Sequence, residues 1–154
     1  MKLDNTDKEI LKHLQQDALL TTKELASRLN LSPTPVYERV RRLEKDGVIK
    51  KYVALLDREK ITKDLMVFCS IRLKEHAQKA GAKFVKEVVG LEEVQECYNI
   101  SGDYDFILKI IVKDMREYQS FLMNKLAALD NIGSTHSNFV MSEIKYETAF
   151  LGIE

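Results

Sequence analysis

The sequence contains little cysteine, little proline and no tryptophan. Its two cysteines, Cys69 and Cys97, lie far apart, and no histidine stands at a metal-ligand spacing from either. We therefore expect two buried, reduced thiols and no metal site. Two prolines and six glycines in 154 residues, with 45% hydrophobic and 31% charged residues, exclude a fibrous or disordered chain and indicate an ordinary packed core.

Long apolar runs and a secretion signal are also missing. The most apolar stretch, residues 106–112, is short and is interrupted by Lys109, and the first residues show no basic segment followed by an apolar one. The sequence therefore predicts a cytoplasmic protein that makes no contact with a membrane.

The common signatures of catalysis are absent. The sequence has neither a Gly-x-Ser-x-Gly nucleophile turn nor a glycine-rich phosphate-binding loop, and its histidines, His13, His76 and His136, are scattered. We predict that the protein is not an enzyme and uses no cofactor.

The net charge of zero hides an uneven distribution of charge. Residues 1–58 hold 12 basic and 9 acidic residues, whereas residues 59–154 hold 12 basic and 15 acidic ones. The difference is small, but a mildly basic N-terminal part suits contact with nucleic-acid phosphates.

Residues 1–48 contain the start and stop signals of three short helices. Asp4 or Thr6 can cap the first helix, and Thr21 with Glu24 forms a capping box for the second, which ends at Asn30. Three helices in such quick succession, the last two joined by a tight turn, are typical of a helix-turn-helix.

The third helix is predicted from Ser32 as N-cap, Pro33 at the first helical position and Gly47 as the stop. Its apolar stripe consists of Val36, Val40 and Leu43. The opposite face is polar and basic, and it presents Thr34, Tyr37, Glu38, Arg41, Arg42 and Lys45. Such a helix fits the major groove of DNA, and an ordinary solvated helix face is the alternative.

Two dense sets of motifs run through the chain. The first comprises Leu3-Asp4, Asp7, Ile10-Leu11, Leu14-Gln15, Asp17, Glu24-Leu25-Ala26, Leu31-Ser32-Pro33-Thr34-Pro35-Val36, Arg39-Val40, Arg42-Leu43-Glu44 and Gly47-Val48-Ile49. The second comprises Leu91-Glu92-Glu93-Val94-Gln95-Glu96-Cys97 and Ser101-Gly102-Asp103-Tyr104-Asp105-Phe106. Together they resemble the Lrp/AsnC family (leucine-responsive and asparagine regulators, or feast/famine proteins) of transcription regulators.

The rest of the chain predicts an α+β, ferredoxin-like sandwich in the order βαββαβ. Strands are expected at residues 65–73, 94–100, 104–113 and 135–146, and helices at 77–88 and 115–129. Residues 50–57 have the pattern of an extended strand, and the resemblance implies that a comparable strand joins the two halves. We place a (winged) helix-turn-helix domain at residues 1–48, a strand and linker at 49–63 and the second domain at 64–154.

Two helices cover only one face of a four-stranded sheet, and the other face also carries apolar residues. The sequence therefore predicts a homodimer formed sheet to sheet, and two recognition helices on a two-fold axis suit paired half-sites in DNA. The resemblance implies further assembly of dimers, to an octamer.

The turn at residues 99–105 is the candidate effector site. Gly102 lets main-chain N–H groups approach a ligand, and acidic residues beside Tyr104 can receive an ammonium group. A plain hairpin turn is the alternative. The resemblance implies an amino-acid effector held at this loop between neighbouring dimers, with help from the start of the last strand. The resulting set is Asn99, Ile100, Gly102, Asp103, Tyr104, Asp105, Ser134, Thr135, His136 and Ser137.

Within these sites the residues have different predicted roles. We assign the α-ammonium to Asp103 or Asp105 and the α-carboxylate to main-chain N–H groups of the loop. Arg42 and Lys45 are expected to contact DNA phosphates, and Arg39 to brace the head or reach a phosphate. Base contacts are assigned to Thr34, Tyr37, Glu38 and Arg41, and the DNA-binding set is completed by Ser32 and Pro35.

Two other functions fit parts of the sequence. Sirohaem decarboxylases resemble the same family in both halves yet catalyse a reaction, and a DNA-architectural protein would bind duplexes without responding to metabolites. The basic outward face of the third helix favours DNA binding over the enzyme.

Overall fold

The computed structural model of the protein describes residues 2–74, 78–150 and 152–153. The chain divides into two units, Met1–Leu55 together with Lys145–Glu154, and Leu56–Ile144. The sequence interpretation assigned residues 145–154 to the second domain, whereas the structure groups them with the first unit. Gln15 holds this segment, because its side-chain oxygen accepts the N–H of Phe150 at 2.7 Å and its amide donates to the carbonyl of Phe150 at 3.2 Å.

The described part of the first unit contains three helices, α1 (Asn5–Gln16), α2 (Thr22–Arg28) and α3 (Pro33–Lys45). Their apolar stripes meet in a core of buried side chains, namely Ile10, Leu11, Leu25, Ala26, Val36 and Leu43. Helices this short are marginal by themselves, so it is the shared core that holds them in place.

The predicted ends of these helices are confirmed. Asp4, and not Thr6, caps α1 by accepting the N–H of Asp7, and the capping box of Thr21 with Glu24 starts α2. After α2 and α3 the backbone becomes left-handed at the two predicted stop residues, Asn30 (φ 53°) and Gly47 (φ 73°). Ser32 precedes α3, but its side chain makes no cap hydrogen bond.

The prediction of a strand at residues 50–57 is wrong, because in the described part of the chain these residues belong to no strand. Several of their apolar side chains, including Tyr52, Val53 and Leu55, are exposed. Alternating apolar residues make a strand only when another strand lies alongside to complete the hydrogen bonds. This segment has no such neighbour within the described chain.

In its described residues, the second unit contains four antiparallel strands and two α-helices. They are β1 (Leu65–Leu73), α4 (Gln78–Val88), β2 (Val94–Asn99), β3 (Phe106–Val112), α5 (Met115–Phe121) and β4 (Ile132–Phe139), with a 3-10 turn at Glu59–Ile61 and a π-helical turn at Leu122–Leu126. The strand order is β2-β3-β1-β4. This topology confirms the predicted βαββαβ sandwich.

Three elements of this unit differ clearly from their predicted bounds. The third strand was expected at residues 104–113 but spans only Phe106–Val112, so Tyr104 lies in the loop before it. The second helix was expected to run to residue 129, but its α-helical part ends at Phe121 and the π-helical turn follows. The last strand was expected at residues 135–146 and instead ends at Phe139. Phe139 pairs with Val67, and the N–H of Val140 donates to the carbonyl of Met66 at 3.0 Å. Because β1 begins at Leu65, it offers almost no further length for pairing. The predicted helix start at Ala77 lies outside the described residues.

Each face of the sheet carries apolar side chains, as predicted. On β3 the side chains of Phe106, Leu108, Ile110 and Val112 are buried beneath the helices, and the Phe106 ring lies 4.9 Å from that of Phe84 on α4. The other face of the sheet presents half-buried Phe68, Ile107 and Ile111. Across residues 2–74, 78–150 and 152–153, no helix is both long enough and apolar enough to cross a bilayer.

Candidate functional site

The outward face of α3 is exposed along its length. On the inner side, Val36 and Leu43 are fully buried in the core. On the outer side lie all but one of the predicted DNA contacts, each of them exposed: Ser32, Thr34, Pro35, Tyr37, Glu38, Arg41, Arg42 and Lys45. The remaining member, Arg39, is half-buried. The helix therefore presents a continuous polar surface of the kind that a groove of DNA admits.

Arg39 and Arg42 extend from α3 towards the start of α1. Arg39 Nη1 donates to Asp4 Oδ2 at 2.6 Å and to Asp7 Oδ1 at 2.8 Å. Arg42 Nη2 donates to both carboxylate oxygens of Asp7, at 2.6 and 2.7 Å. Arg39 thus braces the head, and Arg42, which the sequence assigned to a phosphate, is paired with Asp7.

Charge pairing shifts the pKa of two members of this network. The N–H of Asp7 and the guanidinium of Arg39 lower the pKa of the Asp4 carboxyl below its usual value. Hydrogen bonds to Asp4 and Asp7 raise the pKa of Arg39. In both cases the contacts stabilise the charged form, which is the carboxylate of Asp4 and the guanidinium of Arg39.

A second polar contact, which the sequence did not reveal, lies near the end of α3. Glu44 accepts a hydrogen bond from Arg41 Nη1 at 3.0 Å and another from the Tyr52 hydroxyl at 3.1 Å. Partial burial and then the Glu44 carboxylate raise the pKa of Tyr52. Lys45, in contrast, pairs with no carboxylate in the part of the chain that the structure describes. Lys45 is therefore the cation of α3 that is most available to a phosphate.

The loop between β2 and β3 is held in shape by its own main chain. The N–H of Ile100 and the side-chain amide of Asn99 both donate to the carbonyl of Asp105, at 2.9 and 2.8 Å. Gly102 has a φ of 109°, a conformation that L side chains rarely adopt. The loop is thus a preformed turn.

The two acidic residues of this loop have different surroundings. The Asp105 carboxylate accepts the N–H of Leu73 at 2.8 Å, and the N–H of Asp105 donates to the carbonyl of Ile71 at 2.9 Å. Asp105 is therefore tied to β1. Asp103 is exposed, and within the described chain only its main-chain carbonyl takes part in a hydrogen bond, accepting from Arg72 Nε at 2.7 Å. The Asp103 carboxylate is the one better placed to receive an ammonium group.

Arg72 is a residue of this site that the sequence interpretation missed. Its guanidinium lies 5.5 Å from the centre of the Tyr104 ring, a cation–π contact, and the Tyr104 ring lies 6.2 Å from that of His136. The sequence signal that could have indicated this role is that Arg72 is the charged residue of a mostly apolar strand. The structure thus brings His136 beside the loop.

The other predicted residues of β4 have recognisable neighbours outside the loop. The Ser137 hydroxyl is 2.6 Å from the buried Tyr118 hydroxyl, beneath the helices. Ser134 and Thr135 line a cavity of about 580 Å³ whose apolar wall includes Met123 and Leu126. Among the described residues, the loop contributes nothing to the lining of this β4 cavity. The sequence did not indicate the role of the π-helical turn in forming its wall.

The two described histidines lie apart in the chain's two units. His13 lies on α1 and His136 on β4, in different units, and His76 falls outside the described residues. Within the described ranges, no cluster of His, Cys, Asp and Glu could hold a metal ion. Cys69 is buried as expected, whereas Cys97 is only half-buried, and neither forms a disulfide. Burial raises the pKa of both thiols, as is typical of inert cysteines.

Both halves of the chain match known domain families. Residues 3–50 match the family described as "Winged helix-turn-helix DNA-binding", and residues 66–150 match the "Lrp/AsnC ligand binding domain". The chain belongs to the Lrp/AsnC family. The resemblance inferred from the sequence motifs is therefore confirmed.

Individual Lrp/AsnC proteins match over nearly the whole chain. The leucine-responsive regulatory protein of Escherichia coli K12 is 43% identical over 143 residues, which cover 93% of this chain and 87% of that protein. The AsnC family transcriptional regulator of Agrobacterium tumefaciens is 38% identical, with a TM-score of 0.91 and 96% of each chain covered. The regulator NMB0573 of Neisseria meningitidis, solved as a complex with L-Met, is 33% identical, with a TM-score of 0.92, covering 97% of this chain and 96% of that one.

Family membership assigns a function to each unit of the structure. The protein is an Lrp/AsnC transcription regulator, with a DNA-binding helix-turn-helix and a ligand-binding domain. Helix α3 falls within the DNA-binding match, and both the loop at residues 99–105 and the β4 cavity fall within the ligand-binding match.

Proposed function

We propose that this regulator senses an amino acid at a site shared between subunits, and that α3 reads the operator. The observation that carries the proposal is that, within the described chain, no residue of the loop lines the β4 cavity. The loop offers the exposed carboxylate of Asp103, whereas the cavity offers an apolar wall. A ligand site for an amino acid needs both, so the loop of one subunit would face the cavity of another.

The chemistry of the two parts suits an amino acid with an apolar side chain. Asp103 would bind the α-ammonium, main-chain N–H groups of the loop would bind the α-carboxylate, and Met123 and Leu126 would contact the side chain. A cavity of about 580 Å³ has the size of an ordinary small-molecule pocket. The L-Met complex of the Neisseria relative supports this class of ligand.

The shared site requires an oligomer, and the open face of the sheet provides a surface for one. Its half-buried Phe68, Ile107 and Ile111 would be covered by the same face of a second subunit. On this face Lys109 donates to Glu96 at 3.0 Å, so the charge of the lysine is already paired. We propose a homodimer formed sheet to sheet, and further assembly of dimers to an octamer.

In the DNA-binding unit we assign base contacts to Thr34, Tyr37, Glu38 and Arg41, and phosphate contact to Lys45. A good bidentate contact to a base is worth about 1–3 kcal/mol of discrimination, whereas a phosphate contact affects all sequences alike. Ser32 and Pro35, at the start of α3, would lie closest to the DNA backbone.

We favour a regulator without catalytic activity over a sirohaem decarboxylase. The relatives named above are regulators by name, and the two described histidines lie in different units. Spectral titration with sirohaem tests this preference, because a bound tetrapyrrole would shift its absorption bands. We expect the spectrum to stay that of the free compound.

The ligand proposal is tested by calorimetry across the twenty amino acids, followed by a mixing experiment. Asp103→Ala disables the loop and Met123→Lys disables the cavity, so each variant alone should lose the heat of binding. If loop and cavity come from different subunits, an equal mixture of the two variants, co-refolded, should regain about one quarter of the wild-type sites. A mixture without any recovery would place both halves in one subunit, and no heat with any amino acid would exclude this ligand class.

The DNA proposal is tested with a duplex selected by the wild-type protein from a random-sequence pool. Lys45→Ala should flatten the salt dependence of binding by about one unit and leave sequence preference unchanged, whereas Arg41→Ala should reduce the preference. The added amino acid should change the affinity for this duplex. Binding with little preference and no effector response would instead indicate a DNA-architectural protein.

A further inference from the structure

Among the described residues of the DNA-binding unit, Asp7 is the most buried charged one, with 1% of its surface exposed. An isolated carboxylate at such a position is strongly disfavoured unless charged or hydrogen-bonding groups surround it. Asp7 is surrounded in this way, because its oxygens accept hydrogen bonds from Arg39, from Arg42 and from the N–H of Asp4. Two aspartates and two arginines thus form one network with balanced charge.

This network connects the start of α1 to α3. Asp4 and Asp7 form the reciprocal capping box that starts α1. Arg39 and Arg42 lie three residues apart, on neighbouring turns of α3, so both project from the same side of that helix. A rigid helix start is therefore attached to two successive turns of the recognition helix, which restrains both the tilt and the rotation of α3.

We propose that Asp7 is a positioning residue for DNA recognition, which sets the orientation of α3 and keeps the guanidinium groups of Arg39 and Arg42 from the phosphates. The proposal rests on the proposed role of α3 in reading DNA. It divides the four basic residues of α3 into two classes. Arg41 and Lys45 face the duplex, and Arg39 and Arg42 orient the helix that carries them.

The proposal predicts two effects in the Asp7→Asn variant: DNA binding depends more on salt, and the preference for the correct sequence falls. Asparagine has the same shape, but it leaves Arg42 without its buried counter-charge, and 46% of the Arg42 side chain is already exposed. The released guanidinium then becomes available to a phosphate. Binding to any duplex should depend more steeply on salt, by about 0.9 in the log–log slope for one added phosphate contact. The preference for the correct sequence should fall by roughly tenfold, as expected for one misaligned base contact.

The experiment compares the full-length wild type with three variants by fluorescence anisotropy. The probes are the duplex selected by the wild type and a scrambled duplex of the same composition, each titrated over a series of salt concentrations. Arg42→Gln should lower the preference while leaving the salt slope unchanged, because this arginine contacts Asp7 and not DNA. Lys45→Gln removes the same charge from the same helix, and it should flatten the slope by about 0.9 and leave the preference unchanged.

The outcomes separate this inference from the function on which it rests. A wild-type protein that prefers neither duplex contradicts the proposed function of α3. A wild type with normal preference, together with an Asp7→Asn variant of unchanged slope and preference, contradicts the positioning role alone. If Asp7→Asn fails to fold by circular dichroism, Arg42→Gln decides the question, since a flatter slope in that variant would make Arg42 a phosphate contact.

Discussion

Replacing Asp105 by alanine separates a structural role in the effector loop from a ligand-binding role. In the structure the Asp105 carboxylate accepts the N–H of Leu73 at 2.8 Å, and Leu73 is 5% exposed. The substitution leaves this buried N–H without that acceptor, which costs about 1–3 kcal/mol. The bonds from Asn99 and Ile100 remain, because they end on the main-chain carbonyl of residue 105. The loop should therefore keep its turn while its attachment to β1 weakens.

Thermal unfolding of the purified variants measures this cost. In a unit of this size each kcal/mol lowers Tm by about 4–8 °C. Asp105→Asn keeps an oxygen that can accept the Leu73 N–H, so its Tm should fall less than that of Asp105→Ala. The order of Tm values is thus expected to be wild type, then asparagine, then alanine.

Asp103→Ala provides the matched control in the same loop. Asp103 is exposed and its recorded hydrogen bond uses the main chain, so its loss should change stability by no more than about 0.5 kcal/mol. The heat of effector binding should nevertheless disappear. The opposite pattern, a wild-type Tm with lost binding in Asp105→Ala and normal binding in Asp103→Ala, would refute the assignment of the two carboxylates.

Three further predictions concern the core, the assembly and acid stability. Tyr118→Phe removes the hydroxyl that lies 2.6 Å from Ser137 and should cost about 1 kcal/mol in chemical denaturation, with ligand binding retained. Ile107→Lys puts a charge on the open face of the sheet and should shift the sedimentation mass to that of one chain, whereas a lysine on the exposed side of α4 should not. The folded-state pKa of Asp4 is lowered by the Asp7 N–H and by Arg39, so its stabilising contribution is present above the usual pKa of 3.8 and is lost as the pH falls through the lower folded-state value. An Asp4→Asn protein should show a shallower decline in this acid range.

Local signals predicted the helices of the first unit well because their ends are determined by nearby residues. Thr21 and Glu24 are three residues apart, and the left-handed stops at Asn30 and Gly47 depend on each residue's own backbone. The strand at residues 50–57 failed for the opposite reason. A strand depends on a partner, and the alternation of its side chains does not say whether the partner lies in the same chain.

The site residues likewise divide into those that a local pattern predicts and those that depend on a distant partner. The exposed face of α3 follows from helical periodicity, so Thr34, Tyr37 and Lys45 could be named from the sequence alone. The partner of Arg42 could not, because Asp7 lies 35 residues earlier and nothing in either local pattern pairs them. The two acidic residues of the loop also looked equivalent in sequence, and it is the contacts of Asp105 with β1 that distinguish them.

A ligand site divided between subunits links effector binding to assembly. If the ammonium contact at Asp103 and the apolar contacts at Met123 belong to different chains, each bound effector adds its binding free energy to the interface that it bridges. At a ligand concentration one hundred times Kd this amounts to about 2.7 kcal/mol per site. Linkage is reciprocal, so dilution of the protein into smaller assemblies, which separates the two halves of the site, must weaken effector binding. An affinity for the effector that stayed constant when the oligomer dissociates would mean that one chain binds the whole ligand. The loop and the β4 cavity of the same subunit would then have to come together around it.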